Sequence, residues 1–162
     1  AVTARVLDVK DFITRQSLID FKNVEHRLEH VINVHGIEFI NDSKATNINA
    51  VWFALETMYK DTVWIVGGVD KGNNYEEILD LVDEKVIAII CIGENTENIH
   101  KVFKGHVETI VDASSMREAV ECSYQLANKG DVVLLSPACA SFDMFSNFEH
   151  RGLEFKKSVR SL

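Results

Sequence analysis

The sequence contains few of the residues that break or cross-link a chain. Its 162 residues include one proline, eight glycines and three cysteines. The cysteines, Cys91, Cys122 and Cys139, form no CxxC pair and have no histidine at zinc-ligand spacing, which argues against a disulfide framework and a structural zinc site. No Pro-, Gly- or Ser-rich linker divides the chain, and its length predicts one domain with a sizeable core.

The sequence also lacks a positive net charge and a long apolar run. Lys and Arg total 17 against 25 Asp and Glu, which gives a net charge of -8. This balance excludes a protein that binds nucleic acid or anionic membranes mainly through long-range attraction. No run of about 18 apolar residues and no signal-peptide core occur. We therefore expect a cytoplasmic protein without a nucleic-acid or membrane partner.

Hydrophobic periodicity predicts an α/β domain. Apolar or alternating runs on either side of Gly36 predict an antiparallel hairpin of residues 28–35 and 37–41. Helix and strand periods then alternate, which predicts a mostly parallel sheet with helices on both faces. The further predicted strands are 62–66, 86–92, 106–111 and 131–135, and the predicted helices are 11–21, 46–59, 75–82, 94–104, 115–128 and 148–162.

Polar and glycine-bearing segments follow several of the predicted strands. The carboxyl ends of parallel strands are where such sheets bind ligands, since loops and helix N-termini meet there. We expect this edge to gather Asp42, Lys44, Thr46, Lys71 and Ser141. Two lysines directed at one small anion suit a carboxylate or phosphate, although each lysine is equally consistent with a solvated loop position. Asp42 suits a sugar hydroxyl, a position near a metal, or an Asx turn or helix cap.

Other candidate residues favour structural roles. Cys139 has no histidine placed to activate it, so we interpret it as a packing residue rather than a nucleophile. Arg27 suits either a phosphate or carboxylate contact or a surface ion pair. Phe142, Phe145 and Phe148 favour core or lid packing over base stacking. No GxxxxGK[ST] segment occurs, so the chain has no P-loop of its own.

Five segments together resemble the C-terminal domain of the Mur ligase family, from about Glu25 to Leu162. They are His26-Arg27-Leu28-Glu29, the stretch NDSKATN at 41–47, Gly67-Gly68 through Lys71-Gly72, the stretch LLSPACAS at 134–141, and Asn147-Phe148-Glu149 through Arg151-Gly152. The NDSKATN and SPACAS segments are distinctive of the D-glutamate-adding branch. Other Mur ligases and folylpolyglutamate synthases share the fold with different motifs at the first loop.

The resemblance implies a Rossmann-like lid domain of an ATP-dependent amide ligase of peptidoglycan precursor synthesis. Such enzymes phosphorylate the carboxylate of UDP-N-acetylmuramoyl-L-alanine, and the amine of D-glutamate then attacks the acyl phosphate. Carried over by position, Arg27 and Asp42 are expected to bind ATP, with Asp42 on the ribose. Thr46, Lys71, Ser141, Phe142 (through its backbone) and Phe148 are expected to seat D-glutamate, and Lys44 and Lys71 are the expected catalytic lysines. Phe142 departs from the family, in which a smaller aliphatic residue is usual.

The resemblance also implies that the family's P-loop and Mg²⁺ ligands lie in a preceding central domain. We therefore expect residues 1–21 to be the tail of that domain and residues 22–162 to be the C-terminal domain, monomeric and inactive as a ligase when isolated. Two alternatives remain: a domain of another Mur-type or folylpolyglutamate ligase, and a stand-alone Rossmann-like module that binds a small anion.

Overall fold

The computed structural model describes residues 2–19 and 24–162, without the side chain of Leu18. Two helices, α1 (Val2–Val6) and α2 (Asp11–Ile19), precede the sheet. Helix α2 confirms the predicted leader helix as far as Ile19, and the rest of that prediction, with the proposed domain boundary at 21/22, lies outside the described residues. None of the described helices is long and apolar enough to cross a membrane.

Six strands form one sheet in the order β1-β2-β6-β3-β4-β5. The strands are β1 (Glu29–Val34), β2 (Ile37–Asn41), β3 (Thr62–Gly67), β4 (Val86–Ile92), β5 (Thr109–Ala113) and β6 (Val132–Leu135). The β1–β2 pair is antiparallel and every other pair is parallel, which confirms the predicted hairpin on a mostly parallel sheet. The last strand in sequence, β6, lies between β2 and β3, so it brings residues 136–141 to the centre of the sheet edge.

Helices cover both faces of the sheet, as predicted. After the sheet begins they are α3 (Ile48–Thr57), a 3-10 turn (Tyr75–Ile78) that leads into α4 (Leu79–Lys85), α5 (Glu97–Phe103), α6 (Met116–Leu126) and α7 (Phe148–Val159). One core cluster surrounds Trp64 under α3, α4 and α5, and the other surrounds Phe39 and Phe155 under α6 and α7. Strands β3 and β6 are buried along their whole length because both of their faces are covered.

Several predicted boundaries were wrong, including the start of α5, which lies at Glu97 rather than Glu94. Helix α3 begins at Ile48 rather than Thr46, because the Asn47 side chain caps it by accepting the N–H of Ala50. Strand β5 begins at Thr109 rather than His106, because the N–H groups of His106 and Val107 bond back to Phe103 and close the end of α5. Helix α7 ends at Val159, three residues earlier than predicted.

Ser115 and Glu118 have the residue types and spacing of a capping box, which is present in an altered form. The Ser115 hydroxyl accepts the N–H of Glu118, as expected. The Glu118 carboxylate reaches past the cap residue and accepts the N–H and hydroxyl of Ser114 instead. The backbone N–H groups of Ser114 and Glu118 therefore both have side-chain acceptors, and α6 starts where the sequence indicates.

Candidate functional site

A cavity of about 380 Å³ opens at the carboxyl edge of the sheet, beside the N-terminus of α7. It is lined by Thr46, Lys71, Ala140, Ser141, Phe142, Asn147, Phe148 and Glu149. All five residues that the family resemblance assigns to D-glutamate therefore lie around one cavity, although they come from four separate segments. Cavities of comparable volume beside α3 and α5 contain none of them.

The loop that carries Lys71 is fastened to the loop after β6. Val69 donates its N–H to the carbonyl of Ala140 at 2.8 Å, and the Asn73 amide donates to the carbonyl of Ala138 at 3.1 Å. Gly68 has φ +128°, and a Cβ at this position would collide with the Ala140 carbonyl oxygen. Only glycine allows this close approach of two backbones, so the Gly67-Gly68 pair sets where Lys71 stands.

A side-chain turn holds the Lys71 loop in shape. The Asp70 carboxylate accepts the N–H groups of Gly72 and Asn73 at 2.9 and 2.8 Å. These bonds span Lys71 and leave its own side chain exposed at the cavity wall. The Lys71 ammonium is therefore held near the cavity without being neutralised by the adjacent acid.

The N-terminus of α7 forms the opposite wall. Asn147 caps this 12-residue helix by accepting the N–H of His150, and the carbonyl of Phe148 accepts the Ser43 hydroxyl at 2.7 Å. A helix N-terminus carries partial positive charge, so together with Lys71 it favours a carboxylate in the cavity. Glu149 lines the same cavity and supplies an anion for an ammonium group. The lining suits a zwitterionic amino acid with an additional carboxylate.

Lys44 lies beside the cavity and not in its lining. Its Nζ is 5.3 Å from the centroid of the Phe148 ring, which is a cation–π contact. The backbone N–H of Lys44 donates to the carbonyl of His26, so its loop is tied to the start of β1. The structure thus places Lys44 next to the cavity, where it contacts Phe148.

Asp42 and Arg27 form a second part of the edge, outside the cavity lining. The Asp42 side chain is buried, with the residue 4% exposed, and accepts the Leu28 N–H at 3.2 Å and the Ser136 hydroxyl at 2.9 Å. Burial raises the pKa of the Asp42 carboxyl to about 6, against the lowering effects of these hydrogen bonds and of the Arg27 charge. Asp42 does not cap the following helix, since Asn47 does so.

The sequence pattern of one family matches residues 26–139 of the chain, and that family is described as "Mur ligase, glutamate ligase domain". The chain belongs to this family. The match includes Arg27, Asp42, Lys44, Thr46 and Lys71 and ends at Cys139, two residues before Ser141.

Curated relatives carry the same domain in longer proteins. The chain is 52% identical over 162 residues to the UDP-N-acetylmuramoylalanine–D-glutamate ligases of Christiangramia forsetii and Porphyromonas gingivalis. The alignment covers 100% of the chain and 36% of each relative. The chain therefore spans about a third of the length of the curated relatives it matches.

Solved structures share the fold at low sequence identity. MurC of Thermotoga maritima aligns with a TM-score of 0.65 and 13% identity over 99% of the chain and 36% of its own length. MurF of the same organism, in complex with ADP, aligns with a TM-score of 0.60 and 15% identity over 99% of the chain and 36% of its own length. The bifunctional folylpolyglutamate/dihydrofolate synthase of Yersinia pestis aligns with a TM-score of 0.62 and 18% identity over 94% of the chain and 34% of its own length. At these identities the likeness establishes the fold of this Mur ligase domain.

The guanidinium of Arg151 is buried and hydrogen-bonded to two loops, which the sequence analysis did not predict. Its Nε donates to the Ser43 hydroxyl at 3.0 Å, Nη2 to the Ser43 carbonyl at 2.8 Å and Nη1 to the Cys139 carbonyl at 3.0 Å. The residue is 0% exposed, and burial lowers its pKa to about 10. Arg151 thus ties the loop after β2 to the loop after β6, directly behind the cavity.

A helical-face argument could have singled out Arg151. It shares the buried face of α7 with Gly152, Phe155 and Val159, so a charged residue stands where the helix period predicts an apolar one. The neighbouring Gly152 leaves space for the buried His26 ring, which a Cβ would strike. His26 Nδ1 lies 2.9 Å from the Asn41 amide nitrogen, and its ring contacts Phe148 edge-on.

The structural interpretation of Cys139 is confirmed. The thiol is buried and lies within hydrogen-bond distance of the Tyr75 hydroxyl and the Asn73 amide. Burial raises the pKa of Cys139, which disfavours the nucleophilic thiolate. Phe145 packs against the core. Phe142 lines the cavity and is 71% exposed, so of the two predicted roles, core or lid packing, the structure excludes core packing for this residue.

Asp42→Asn is expected to change how stability depends on pH. Asp42 titrates near pH 6 in the folded chain and near its ordinary 3.8 when unfolded, so its favourable contribution is complete below about pH 4 and is lost as pH rises through about 6. We expect the free energy of unfolding of the variant, relative to the wild type, to increase by about 2–3 kcal/mol between pH 4 and pH 7.

Urea unfolding at a series of pH values measures this difference. Asp112→Asn is the matched control, because hydrogen bonds and the charge of His100 lower the pKa of Asp112 against the effect of its partial burial. The stability difference of this control is therefore expected to stay nearly constant between pH 4 and pH 7, because a carboxylate with a lowered pKa loses its contribution only as pH falls below about 4. A difference between Asp42→Asn and the wild type that stays constant across this pH range would contradict the burial argument.

Proposed function

We propose that the chain is the C-terminal domain of an ATP-dependent ligase that joins D-glutamate to UDP-N-acetylmuramoyl-L-alanine in peptidoglycan precursor synthesis. The observation that carries the proposal is the single cavity shared by Thr46, Lys71, Ser141, Phe142 and Phe148. The names of the relatives that are 52% identical along the entire chain support the same activity. In this proposal residues 1–21 belong to the end of a central domain and residues 22–162 form the D-glutamate-binding lid.

D-Glutamate is proposed to bind with its carboxylates between Lys71 and the N-terminus of α7. Lys71 supplies a full positive charge, and the free N–H groups of the first helical turn and the Ser141 hydroxyl supply donors. Thr46 supplies a further hydroxyl, and the backbone of Phe142 closes the rim. Phe148 forms an apolar side of the cavity and is held in place by Lys44 and His26. The acid Glu149 is proposed to attract the ligand's ammonium group.

The chain's part in the reaction is to bind and orient the nucleophile. The amine nitrogen of D-glutamate attacks the acyl carbon, a C–N bond forms, the C–O bond to phosphate breaks, and the amine releases a proton. Both sides of the cavity hold the amino acid, so its amine is held in one orientation toward the acyl carbon. This orientation lowers the entropic cost of the attack. Lys44 and Lys71 are the proposed catalytic lysines, with Lys71 in contact with substrate.

ATP is proposed to meet this domain at Arg27 and Asp42. The exposed Arg27 suits a phosphate, and the Asp42 carboxylate keeps an acceptor lone pair on each oxygen beyond the bonds it already makes. Arg27 and Asp42 supply only a few contacts, so they fit a nucleotide that is bound mainly by the preceding domain. Mg²⁺ fits poorly here, since within residues 2–19 and 24–162 no cluster of three metal-ligating side chains lies at this edge. We assign the Mg²⁺ ligands to the preceding domain.

The test is amide formation by the full-length protein that contains this chain. We expect phosphate release to require UDP-N-acetylmuramoyl-L-alanine and D-glutamate, with L-glutamate, L-lysine and diaminopimelate at least 100-fold poorer in kcat/KM. The isolated chain is expected to form no amide and to hydrolyse no ATP, and to elute as a monomer. A preference for another amino acid, or ligase activity of the isolated chain, would overturn the proposal.

Two other functions are separated by the same measurements. A folylpolyglutamate ligase shares this fold, and it would require a folate acceptor instead of the UDP-muramoyl substrate. A stand-alone anion-binding module would bind D-glutamate tightly without another domain. For the isolated lid we expect only weak binding by calorimetry, because one cavity wall is open.

A further inference from the structure

A cysteine, a histidine and an aspartate meet where α5 packs on β4 and β5, outside the lining of the proposed D-glutamate cavity. Cys91 of β4 and Asp112 of β5 are register partners, so their side chains leave the same face of the sheet. His100 of α5 lies over that face, with Nε2 3.0 Å from both carboxylate oxygens of Asp112. The three potential ligand atoms lie within 4.8 Å of one another.

We propose that Cys91, His100 and Asp112 bind one Zn²⁺ ion. Thiolate sulfur, imidazole nitrogen and carboxylate oxygen are the ligand types that zinc prefers, and one thiolate with one carboxylate balances its charge. Tetrahedral bonds of about 2.0–2.3 Å place ligand atoms about 3.3–3.7 Å apart, so a small separation of His100 from Asp112 accommodates the ion.

The fourth position opens toward a cavity of about 570 Å³ lined by Thr96, Glu97, His100, Lys101, Lys104 and Asp112. Water can complete the coordination from this side, and Glu97 stands one helical turn before His100 on the same wall. The two lysines oppose a cation, but both are exposed and their long side chains can carry the ammonium groups into solvent.

Cys91 would bind zinc as a thiolate. Zinc takes the place of the thiol proton: the S–H bond breaks, the bond from sulfur to zinc forms, and the proton passes to the buffer. Binding near neutral pH is expected to release at least one proton per ion.

The spacing rules applied to the sequence cannot find this site. The ligands are separated by nine and twelve residues and lie on three elements, so no CxxC or histidine-pair motif forms. Zinc would fasten α5 to β4 and to the edge strand β5. This matters for α5, which has only seven residues and an N-cap, Thr96, whose side chain makes no capping hydrogen bond.

The experiment uses the metal alone as probe, with the 162-residue chain kept reduced by a phosphine and stripped with chelator. Titration with Co²⁺ should give a thiolate-to-cobalt charge-transfer band that saturates at one ion per chain and is displaced by Zn²⁺. Zn²⁺ at about 100 times its Kd should raise the Tm by about 5–10 °C, with release of protons.

Variants identify the ligands. Cys91→Ser should abolish the charge-transfer band, and His100→Ala and Asp112→Asn, whose side chains are partly exposed, should each weaken binding at least tenfold without unfolding the chain. Cys122→Ser is the matched control and should leave the titration unchanged. The proposal is overturned if no band appears, if the band survives Cys91→Ser or depends on Cys122, or if the His100 and Asp112 variants bind as the wild type does.

Discussion

Under the proposed function, Lys71→Ala in the full-length protein is expected to raise the KM for D-glutamate about 100-fold and to lower kcat about tenfold, so that kcat/KM falls about 1,000-fold. A hydrogen bond to a charged partner contributes about 1.5–3 kcal/mol, and its loss from ground-state binding appears in KM. The fall in kcat follows from a less well oriented amine. Steady-state kinetics at saturating ATP and UDP-muramoyl substrate measure both values.

Lys104→Ala is the control for this prediction. Lys104 is also an exposed lysine, but it lies after α5 and outside the proposed substrate cavity. We expect its kinetics to match the wild type, and we expect the KM values for ATP to be unchanged in both variants within about threefold. Wild-type KM and kcat for D-glutamate in Lys71→Ala would remove Lys71 from the site.

Arg151→Met is expected to lower the free energy of unfolding by about 3–5 kcal/mol. Methionine approximates the length of arginine but cannot donate, so the carbonyls of Ser43 and Cys139 and the Ser43 hydroxyl lose buried partners. Buried polar groups left without partners are destabilising by about 1–3 kcal/mol each, with partial relaxation. Urea unfolding of the 162-residue chain, followed by Trp fluorescence, measures the change.

The matched control is Arg160→Met, an exposed arginine at the end of the same helix, which we expect to change stability by less than about 0.5 kcal/mol. Arg151→Lys keeps the charge but loses the fork that reaches both loops, so an intermediate loss is expected. Equal stability of the two methionine variants would show that the Arg151 hydrogen bonds make no net contribution.

The guanidinium of Arg151 also supports the wall of the proposed substrate cavity. Ser43 donates to the carbonyl of Phe148 and accepts from Arg151, so the cavity wall at Phe148 and the loop after β6 share one buried support. Glu94 further anchors that loop by donating its N–H to Asp143 at 3.3 Å. The cavity is therefore shaped by hydrogen bonds between segments that are about 100 residues apart in the chain.

Local patterns were sufficient for most of the fold. Apolar runs such as Val86–Ile92, the turn at Gly36 and the Ser115 cap act over a few residues, so periodicity and capping predict the elements they form. The loop motifs at 41–47 and 134–141 likewise indicated the family and the edge of the sheet that carries the proposed site. The wrong start of α3 shows the limit, because Thr46 and Asn47 are both acceptable caps by type.

Strand order and side-chain convergence depend on contacts that are distant in sequence. Nothing in the local pattern places β6 between β2 and β3, yet this position brings Ser141 beside Lys71. The burial of Arg151 and the meeting of Cys91, His100 and Asp112 arise in the same way, from strand register and helix docking. Residue spacing describes neighbours within about one turn or one strand, whereas these sites are built by packing across the whole sheet.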